Sequence, residues 1–404
     1  MANEQIPASA LSDSLCRAGI DAVSRHDVIY AIQDTTTVEF NRRAPIEGLG
    51  PIGTATAPGQ GFFLHTTLAV RPDGLPLGYL NLQTWARDPR QTGTRYHRKE
   101  RPVEEKESFK WIRAIRESSR LVKQKLPAAE RPRLIFIGDR ECDIHEVFEE
   151  VMPTPHGLIV RAAWNRRIAD EAGHIWEHLR QLPVYGHLPL EISANARRKA
   201  RTARLAVRWS RVLLTPSPAA HPHRVPVSLY VVWVQETEPP AGESPIEWML
   251  LTTEPVLTLE EALQIIEAYR LRWRIEELHL ILKSGCRLES VQYDSLDRLE
   301  KILMLGLGSA LRLLLLRYVA ETHPSAPCTQ VLSPIQEQAL CVYVTHHFKT
   351  PVTHLTVAEA LLWIGRLGGF LGRKRDGRPG VRPLWRGWRD LEVLASMYEA
   401  MNRS

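Results

Sequence analysis

The order of strand-like and helix-like segments between residues 27 and 162 constrains the fold of this chain most strongly. Three strand patterns come first, and Asp73-Gly74 between the second and the third is typical of a hairpin turn. A helix, a strand, a helix and a strand follow, as the spacing of apolar residues indicates. In chain order, the segments are strands at 27–33, 61–70 and 75–84, a helix at 104–123, a strand at 133–138, a helix at 144–151 and a strand at 157–162. The order predicts an α/β sheet.

The fold class that we predict is α/β, with a ribonuclease-H-like core, an inserted β-subdomain and a helical C-terminal region. Four β-rich segments joined by Pro, Gly and Ser turns indicate the insertion. The predicted divisions are a short N-terminal remnant at 1–26, the first part of the core at 27–187, the inserted β-subdomain at 188–256, core helices at 257–320 and the helical C-terminal region at 321–404. We expect one continuous helix at 257–284, a glycine-rich loop at 41–60 and a basic, glycine-rich interval at 368–387 before a final helix from Asp390.

The charge of the chain is mildly basic and unevenly distributed. Lys and Arg number 52 against 46 Asp and Glu, which gives a net charge of +6 and a pI near 9.1. The cations cluster at 197–204, 270–274 and 373–389. Clusters of this kind favour a polyanionic partner, although basic loops that only aid solubility are the alternative.

Cysteine usage and hydropathy indicate a cytoplasmic protein. The five cysteines are scattered and form neither a CxxC motif nor a Cys/His cluster at zinc spacing, which favours a reducing compartment. The first residues are polar and show no signal peptide. The most apolar run, at 302–316, carries Arg312 and is too short to span a bilayer, so we expect a buried core helix and no membrane partner.

Two aspartates follow apolar strand patterns that are neighbours in the predicted sheet. Asp34 ends the first strand, Asp139 ends the strand at 133–138, and Glu276 lies on a later helix. Three carboxylates that converge can hold one or two Mg²⁺ or Mn²⁺ ions, which activate a water or a 3′-hydroxyl for displacement at phosphorus. As alternatives, Asp34 forms a turn or a helix cap in DTTT, and Asp139 caps the following helix.

Glu276 shares a narrow helical stripe with a phenol and two cations. At about 100° per residue, Tyr269, Arg272, Glu276 and Lys283 fall at about 0°, −60°, −20° and −40°. The carboxylate is suited to a metal and the cations to DNA phosphates. A solvent face stabilised by pairs such as Arg272 with Glu276 is the alternative. The two aspartates at strand ends and the β-rich insertion before this helix favour the catalytic interpretation.

These segments resemble the DDE transposases of bacterial insertion sequences, specifically the insertion-sequence-four family. The similarity lies in QDTTTVEF around Asp34, in GDRECDIHE around Asp139 and in the Y-x2-R-x3-E-x6-K signature from Tyr269 to Lys283. Further similar segments are GFFLHTTLAV, IEWMLLTTEPV and LGGFLGRKRDGRPGVRPLWRGWRDL. The signature has four residues at fixed spacing and is specific. The resemblance covers about residues 29–394.

The resemblance implies a role for each residue of the signature. It implies that Asp34, Asp139 and Glu276 bind the metal ions. It also implies that Tyr269, Arg272 and Lys283 hold phosphates near a cleaved DNA end, for which Arg supplies a bidentate fork and Lys a mobile point charge.

Three further residues are candidates for contacts with DNA. Trp248 matches the aromatic residue of the family that stacks on an extruded base, and a core aromatic is its alternative interpretation. Arg161 and Arg140 are candidate phosphate contacts, or else partners of structural carboxylates. Glu277 points about 100° away from Glu276 and is not counted as a ligand.

Three histidines near the predicted site are expected to be structural. A metal lowers the pKa of the attacking water, so the reaction needs no histidine base. We therefore predict that His65, His145 and His279 serve as structural hydrogen-bonding groups.

The activity that the resemblance implies is cut-and-paste transposition of double-stranded DNA, from end cleavage through hairpin formation to strand transfer. Synapsis of two transposon ends needs two protomers, and residues 390–404 are a candidate homodimer contact. Their stripe of Leu391, Leu394 and Met397 could equally cap the core. A ribonuclease-H-like repair nuclease is an alternative, which would cleave DNA without joining strands.

The chain departs from the family before its first aspartate. Family members carry a helical domain there that recognises the terminal inverted repeats, whereas 33 residues precede Asp34. The sequence therefore predicts an N-terminally truncated copy or end recognition elsewhere. A non-catalytic protein that binds DNA or dimerises, and so inhibits transposition, is the alternative function.

Overall fold

Ten strands of the described residues form one mixed sheet, and helices cover both of its faces. A computed structural model describes residues 6–40, 46–54, 57–89, 101–192, 200–216, 224–287, 289 and 293–402. The strands are β1 (Val28–Phe40), β2 (Gly50–Thr54), β3 (Ala57–Val70), β4 (Pro76–Trp85), β5 (Arg133–Gly138), β6 (Gly157–Arg161), β7 (Gly186–Ile192), β8 (Arg201–Leu214), β9 (Val227–Glu236) and β10 (Glu247–Thr252). The helices are α1 (Ala8–Val23), α2 (Phe109–Lys125), α3 (His145–Val151), α4 (Ile175–Gln181), α5 (Leu259–Arg270), α6 (Trp273–Cys286), α7 (Leu296–Thr322), α8 (Pro334–His347), α9 (Val357–Leu367) and α10 (Val381–Asn402).

The core strands follow the predicted order. β1, β5 and β6 are parallel neighbours, and β3 and then β4 extend the sheet antiparallel from the other edge of β1. The segment 188–256 continues the same sheet, because β10 pairs antiparallel with β6 and is followed by β9, β8 and β7. The insertion therefore lengthens the core sheet at its β6 edge. Part of the basic cluster at 197–204 and parts of the predicted loop at 41–60 lie outside the described residues.

The first strand is longer than predicted. β1 runs through Asp34 to Phe40, so Asp34 lies within the strand and not at its end. The β-branched residues Thr35, Thr36, Thr37 and Val38 explain the extension, because they favour strand geometry. The prediction of a loop at 41–60 was also wrong, since that interval contains β2 and the start of β3.

The helix predicted at 257–284 is divided at Leu271 and Arg272. The amide of Arg272 donates to Tyr269 O at 3.0 Å, and that of Ile275 donates to Arg272 O at 3.2 Å. These bonds span three residues instead of four, which tightens the chain between α5 and α6. The backbone stays in the right-handed helical region at both residues, so the two helices are close to continuous.

The last helix begins earlier than predicted. α10 starts at Val381, inside the interval that was expected to be a loop, and Pro383 is accommodated in its first turn. Gly387 lies where α10 crosses α9, and a Cβ there would come within 1.7 Å of Ile364 O. This glycine permits close packing of the two helices, whereas the other glycines of the interval precede α10 and lie outside any helix.

Two apolar cores lie on opposite faces of the sheet. One core contains residues of α5 to α10, and the other contains residues of α2, α3 and α4. α7 contains the apolar run at 302–316 but is 27 residues long. Within the described ranges, α7 is the one helix apolar and long enough to cross a membrane, and 56% of its most apolar window is buried in the fold. All five cysteines, each in a described segment, are free thiols.

Candidate active site

The register of β1 and β5 places Asp34 beside Asp139. The parallel pairs run from Val28↔Arg133 to Ile32↔Ile137, so paired residues differ by 105 positions throughout. Asp34 and Asp139 also differ by 105 positions and lie two residues beyond the last pair. Since neighbouring strands are about 4.8 Å apart, this register places the two aspartates side by side, just beyond the carboxyl end of the paired segment.

Each aspartate also accepts a local backbone hydrogen bond. The amide of Thr35 donates to Asp34 Oδ1 at 2.7 Å. The amide of Glu141 donates to Asp139 Oδ1 at 2.8 Å, so Asp139 caps a short 3₁₀ turn at Arg140–Cys142. Asp139 therefore caps this turn and not the following helix α3, whose N-cap position is Ile144.

Arg272 links the first aspartate to the carboxylate of α6. Its Nη1 lies 3.5 Å from Asp34 Oδ2, and its Nη2 donates to Glu276 Oε1. The Arg272–Glu276 pair is the contact that the sequence offered for a solvent face, and the same guanidinium also reaches Asp34 across the tight turn between α5 and α6. Arg272 occupies the position of a counter-charge between two carboxylates.

The carboxylates are not fully compensated by this cation. Burial, followed by the charge of Asp139, raises the pKa of Asp34 to about 6, although Thr35 N–H and Arg272 act in the opposite direction. Burial also raises the pKa of Asp139, and the neighbouring Glu141 adds to the effect. Such shifts arise where like charges converge in a partly desolvated place.

Aromatic and cationic side chains lie next to the carboxylates. Tyr269 is buried, and its ring centroid lies 6.1 Å from that of Trp248 on β10. The guanidinium carbon of Arg272 lies 5.9 Å from the Tyr269 ring. Arg161 on β6 donates to Glu247 O at 3.0 Å, and burial lowers its pKa. Trp248 is partly buried against the core, as its alternative interpretation as a core aromatic predicted.

The remaining predicted residues lie farther out. Arg140 is exposed directly after Asp139, and Lys283 is exposed two helical turns beyond Glu276.

Lys110 on α2 was not predicted. Its Nζ lies 3.0 Å from Glu141 and 5.7 Å from the centroids of the Trp85 and Trp111 rings. Helical periodicity alone gave no signal for Lys110, because charged residues of α2 look alike in sequence.

The donor set fits a hard divalent cation. Asp34, Asp139 and Glu276 supply carboxylate oxygens, which Mg²⁺ and Mn²⁺ prefer. Burial and the charge of Asp139 raise the pKa of Asp34 to about 6, and a bound cation would favour its charged form instead. Among the residues that the structure describes, no three acidic, histidine or cysteine side chains already converge at metal-binding distance. Arg272 between Asp34 and Glu276 holds those two carboxylates in a cation-bridged arrangement.

Comparison with protein families identifies the class of this protein. Residues 65–311 match the transposase DDE domain, and residues 309–402 match the transposase Tn5 dimerisation domain. The first match covers more than half of the chain, so the protein belongs to the DDE transposase family. It is an enzyme of DNA transposition with the ribonuclease-H-like fold of that domain. The family generally uses divalent metal ions and acts on DNA.

Two of the three carboxylates lie within the residues that match the DDE domain, and one lies outside them. Asp139 and Glu276 lie inside the matched residues 65–311, whereas Asp34 precedes them. The assignment of Asp34 to the site therefore depends on the sheet register and on its contact with Arg272. The second match includes α8, α9 and α10, which form the helical C-terminal region.

Proposed function

We propose that this transposase carries out cut-and-paste transposition with Asp34, Asp139 and Glu276 as its metal-binding carboxylates. The observation that carries the proposal is the shared 105-residue offset of Asp34 and Asp139, combined with the link from Arg272 to Asp34 and Glu276. Two Mg²⁺ or Mn²⁺ ions bound by these oxygens would activate a water or a 3′-hydroxyl and stabilise the leaving oxygen.

The side chains around the carboxylates would hold the DNA. Arg272 has a planar fork suited to phosphate and becomes available for it once its two carboxylates bind cations instead. Tyr269 and Arg161 border the same place, while the exposed Arg140 and Lys283 would supply further cations for phosphates. Trp248 presents a partly buried indole next to Tyr269, which suits stacking on an extruded base.

A homodimer would bring two transposon ends together. α10 buries Leu391 in the core, whereas Val393 and Met397 are 57% and 58% exposed. These two residues are four positions apart and share one helical face, so they supply an apolar surface for a second copy. Part of the predicted stripe thus caps the core, and a different part is free to contact a partner. The proposal places the protein at double-stranded DNA in the cytoplasm.

The test is metal-dependent cleavage of a plasmid that carries the reading frame with its natural flanking DNA. We expect double-strand breaks with Mg²⁺ or Mn²⁺, none with a chelator, and none for Glu276→Gln. Glu277→Gln is the matched control, because Glu277 pairs with Arg274 at 2.8 Å and is not a proposed ligand. Pre-cut ends with free 3′-hydroxyls and a target plasmid then test strand joining.

Each outcome separates one function from another. If neither the unchanged protein nor Glu276→Gln cleaves the plasmid or joins the pre-cut ends, the non-catalytic inhibitor would be favoured. Cleavage without strand joining would favour a nuclease. Equal loss in Glu276→Gln and Glu277→Gln would show that the assay reports stability of α6 and not metal binding.

A further inference from the structure

A buried histidine contacts the residues on both sides of Asp34. His65 Nδ1 lies 2.9 Å from Thr35 Oγ1, and His65 Nε2 lies 3.1 Å from Gln33 Oε1. Side chains alternate along a strand, so Gln33 and Thr35 point to the face opposite Asp34. The side chain of His65 therefore contacts both chain neighbours of Asp34 on the sheet face opposite the Asp34 carboxylate.

The chemistry of the partners defines the direction of each hydrogen bond. The oxygen of the Gln33 amide can only accept, so His65 Nε2 carries the proton and donates it. His65 Nδ1 then accepts from the hydroxyl of Thr35. The backbone amide of the same threonine donates to Asp34 Oδ1 at 2.7 Å. Two hydrogen bonds thus connect the imidazole to the carboxylate through Thr35.

The imidazole itself is held rigidly. His65 is fully buried, and its ring packs edge-on against Trp111 of α2, with centroids 4.7 Å apart. Burial, followed by the charges of Lys110 and His279, lowers the pKa of His65 well below its usual value. The ring is therefore neutral at physiological pH, as the acceptor role of Nδ1 requires.

We propose that His65 is a positioning residue that sets the orientation of the Asp34 carboxylate through the hydroxyl of Thr35. Groups that hydrogen-bond behind a metal ligand orient it and commonly alter metal affinity by roughly tenfold to a hundredfold. His65 acts from the face of the sheet opposite Arg272, so Asp34 is held from two sides. The inference rests on the proposed function, because it assumes that Asp34 binds a metal.

Direct Mn²⁺ binding to the purified full chain, measured by calorimetry without DNA, tests this role. Thr35→Val keeps the shape of the side chain and removes the hydroxyl, and we expect Mn²⁺ affinity to fall about tenfold. His65→Gln can still reach Gln33 but leaves the Thr35 hydroxyl without its acceptor, so a similar loss is expected. Thr35→Ser and His65→Asn retain the contact and should restore most of the affinity.

Thr67→Val is the matched control. Thr67 lies on the same strand and face as His65, and within the described part of the chain its buried hydroxyl has no hydrogen-bond partner. This variant should bind Mn²⁺ like the unchanged protein. Thermal melting of every variant checks that the fold persists, since a purely structural role would lower the melting temperature without changing Mn²⁺ affinity.

The controls separate failure of the inference from failure of the proposed function. Asp34→Asn should lose Mn²⁺ binding, and if it binds as the unchanged protein does, the proposed metal site is wrong. If Asp34→Asn loses binding while Thr35→Val and His65→Gln retain full affinity, the positioning role alone is overturned. Absence of Mn²⁺ binding by the unchanged protein would overturn both.

Discussion

The two ends of β5 show how differently one fold uses its carboxylates. At the first residue, Arg133 donates two hydrogen bonds of 2.6 Å to Glu254, which follows β10. At the other end, Asp139 and Asp34 lie side by side, and Arg272 forms ion pairs with Asp34 and Glu276. The first end is a matched pair that joins the inserted strands to the core. The second end has more negative charge than its neighbours compensate.

Packing reinforces this difference. Arg133 also donates to Pro155 O at 2.8 Å, and a Cβ on Gly157 would come within 2.2 Å of Glu254 Oε1. The ion pair is therefore packed closely against the backbone of β6. At the other end, burial raises the pKa of both Asp34 and Asp139, and shifts of this kind are common at functional sites. One end of β5 thus holds a paired carboxylate, and the other holds the buried aspartates of the candidate site.

The largest expected effect comes from neutralising the unmatched end. Asp34→Asn should reduce metal-dependent cleavage on the order of 10³-fold or more, because bound metal contributes several kcal/mol to such reactions. The same variant should be more stable than the unchanged protein at pH 8 in the presence of a chelator, by about 1–2 kcal/mol. Cleavage assays and denaturant unfolding measure the two effects.

The sign of the stability effect follows from the raised pKa of Asp34, about 6 against the usual 3.8. The folded protein holds the proton more tightly than the unfolded chain, so this contribution favours folding at low pH and is lost as pH rises through about 6. The advantage of Asp34→Asn should therefore shrink toward pH 4. A variant that is less stable at pH 8 would contradict the view that this end is unmatched.

The second largest expected effect comes from changing Arg272, which forms ion pairs with both Asp34 and Glu276. Arg272→Lys keeps the charge but replaces two separate donor nitrogens with one, so it cannot contact Asp34 and Glu276 in the same way. We expect cleavage to slow by roughly tenfold to a hundredfold. Arg270→Lys is the control, because Arg270 pairs with Glu267 nearby on the surface. Similar rates for both variants would weaken the assignment of Arg272.

The third effect is the pH dependence of metal binding. Metal ligands must be ionised, and Asp34 becomes protonated below a pKa of about 6. Mn²⁺ affinity should be nearly constant above pH 7 and fall by about tenfold per pH unit below the transition. Calorimetry between pH 8 and pH 5 checks this. A flat profile across that range would mean that the two aspartates do not bind the ion.

The smallest effect belongs to the matched end. Glu254→Gln weakens the contact with Arg133, whose side chain is 40% exposed, so the cost should be about 1 kcal/mol of unfolding free energy. Cleavage at a temperature where the variant is folded should be unchanged. Loss of activity larger than the loss of folded protein would mean that the two ends of β5 are coupled.

Sequence patterns were sufficient for most of the fold. Apolar runs and turn signals predicted the strands of the core and of the insertion, and Asp139 follows β5 as expected. The family resemblance agrees with the matches to the transposase DDE domain and the dimerisation domain. Local patterns failed where a contact distant in sequence decides the structure. α10 begins at Val381, earlier than predicted, and near its start Gly387 packs closely against Ile364, an approach that periodicity cannot show.

The sequence by itself determined the order of the elements and the spacing of Tyr269, Arg272, Glu276 and Lys283, because helical and strand periodicities are local properties of the chain. Only the tertiary structure decided which groups meet. The register of β1 on β5 brings Asp34 to Asp139, and the tight turn before α6 carries Arg272 to Asp34. Antiparallel pairing of β3 with β1 places His65 opposite Thr35, next to Asp34 in the chain. These contacts join residues far apart in sequence, and strand register and desolvation arise only when the whole sheet has formed.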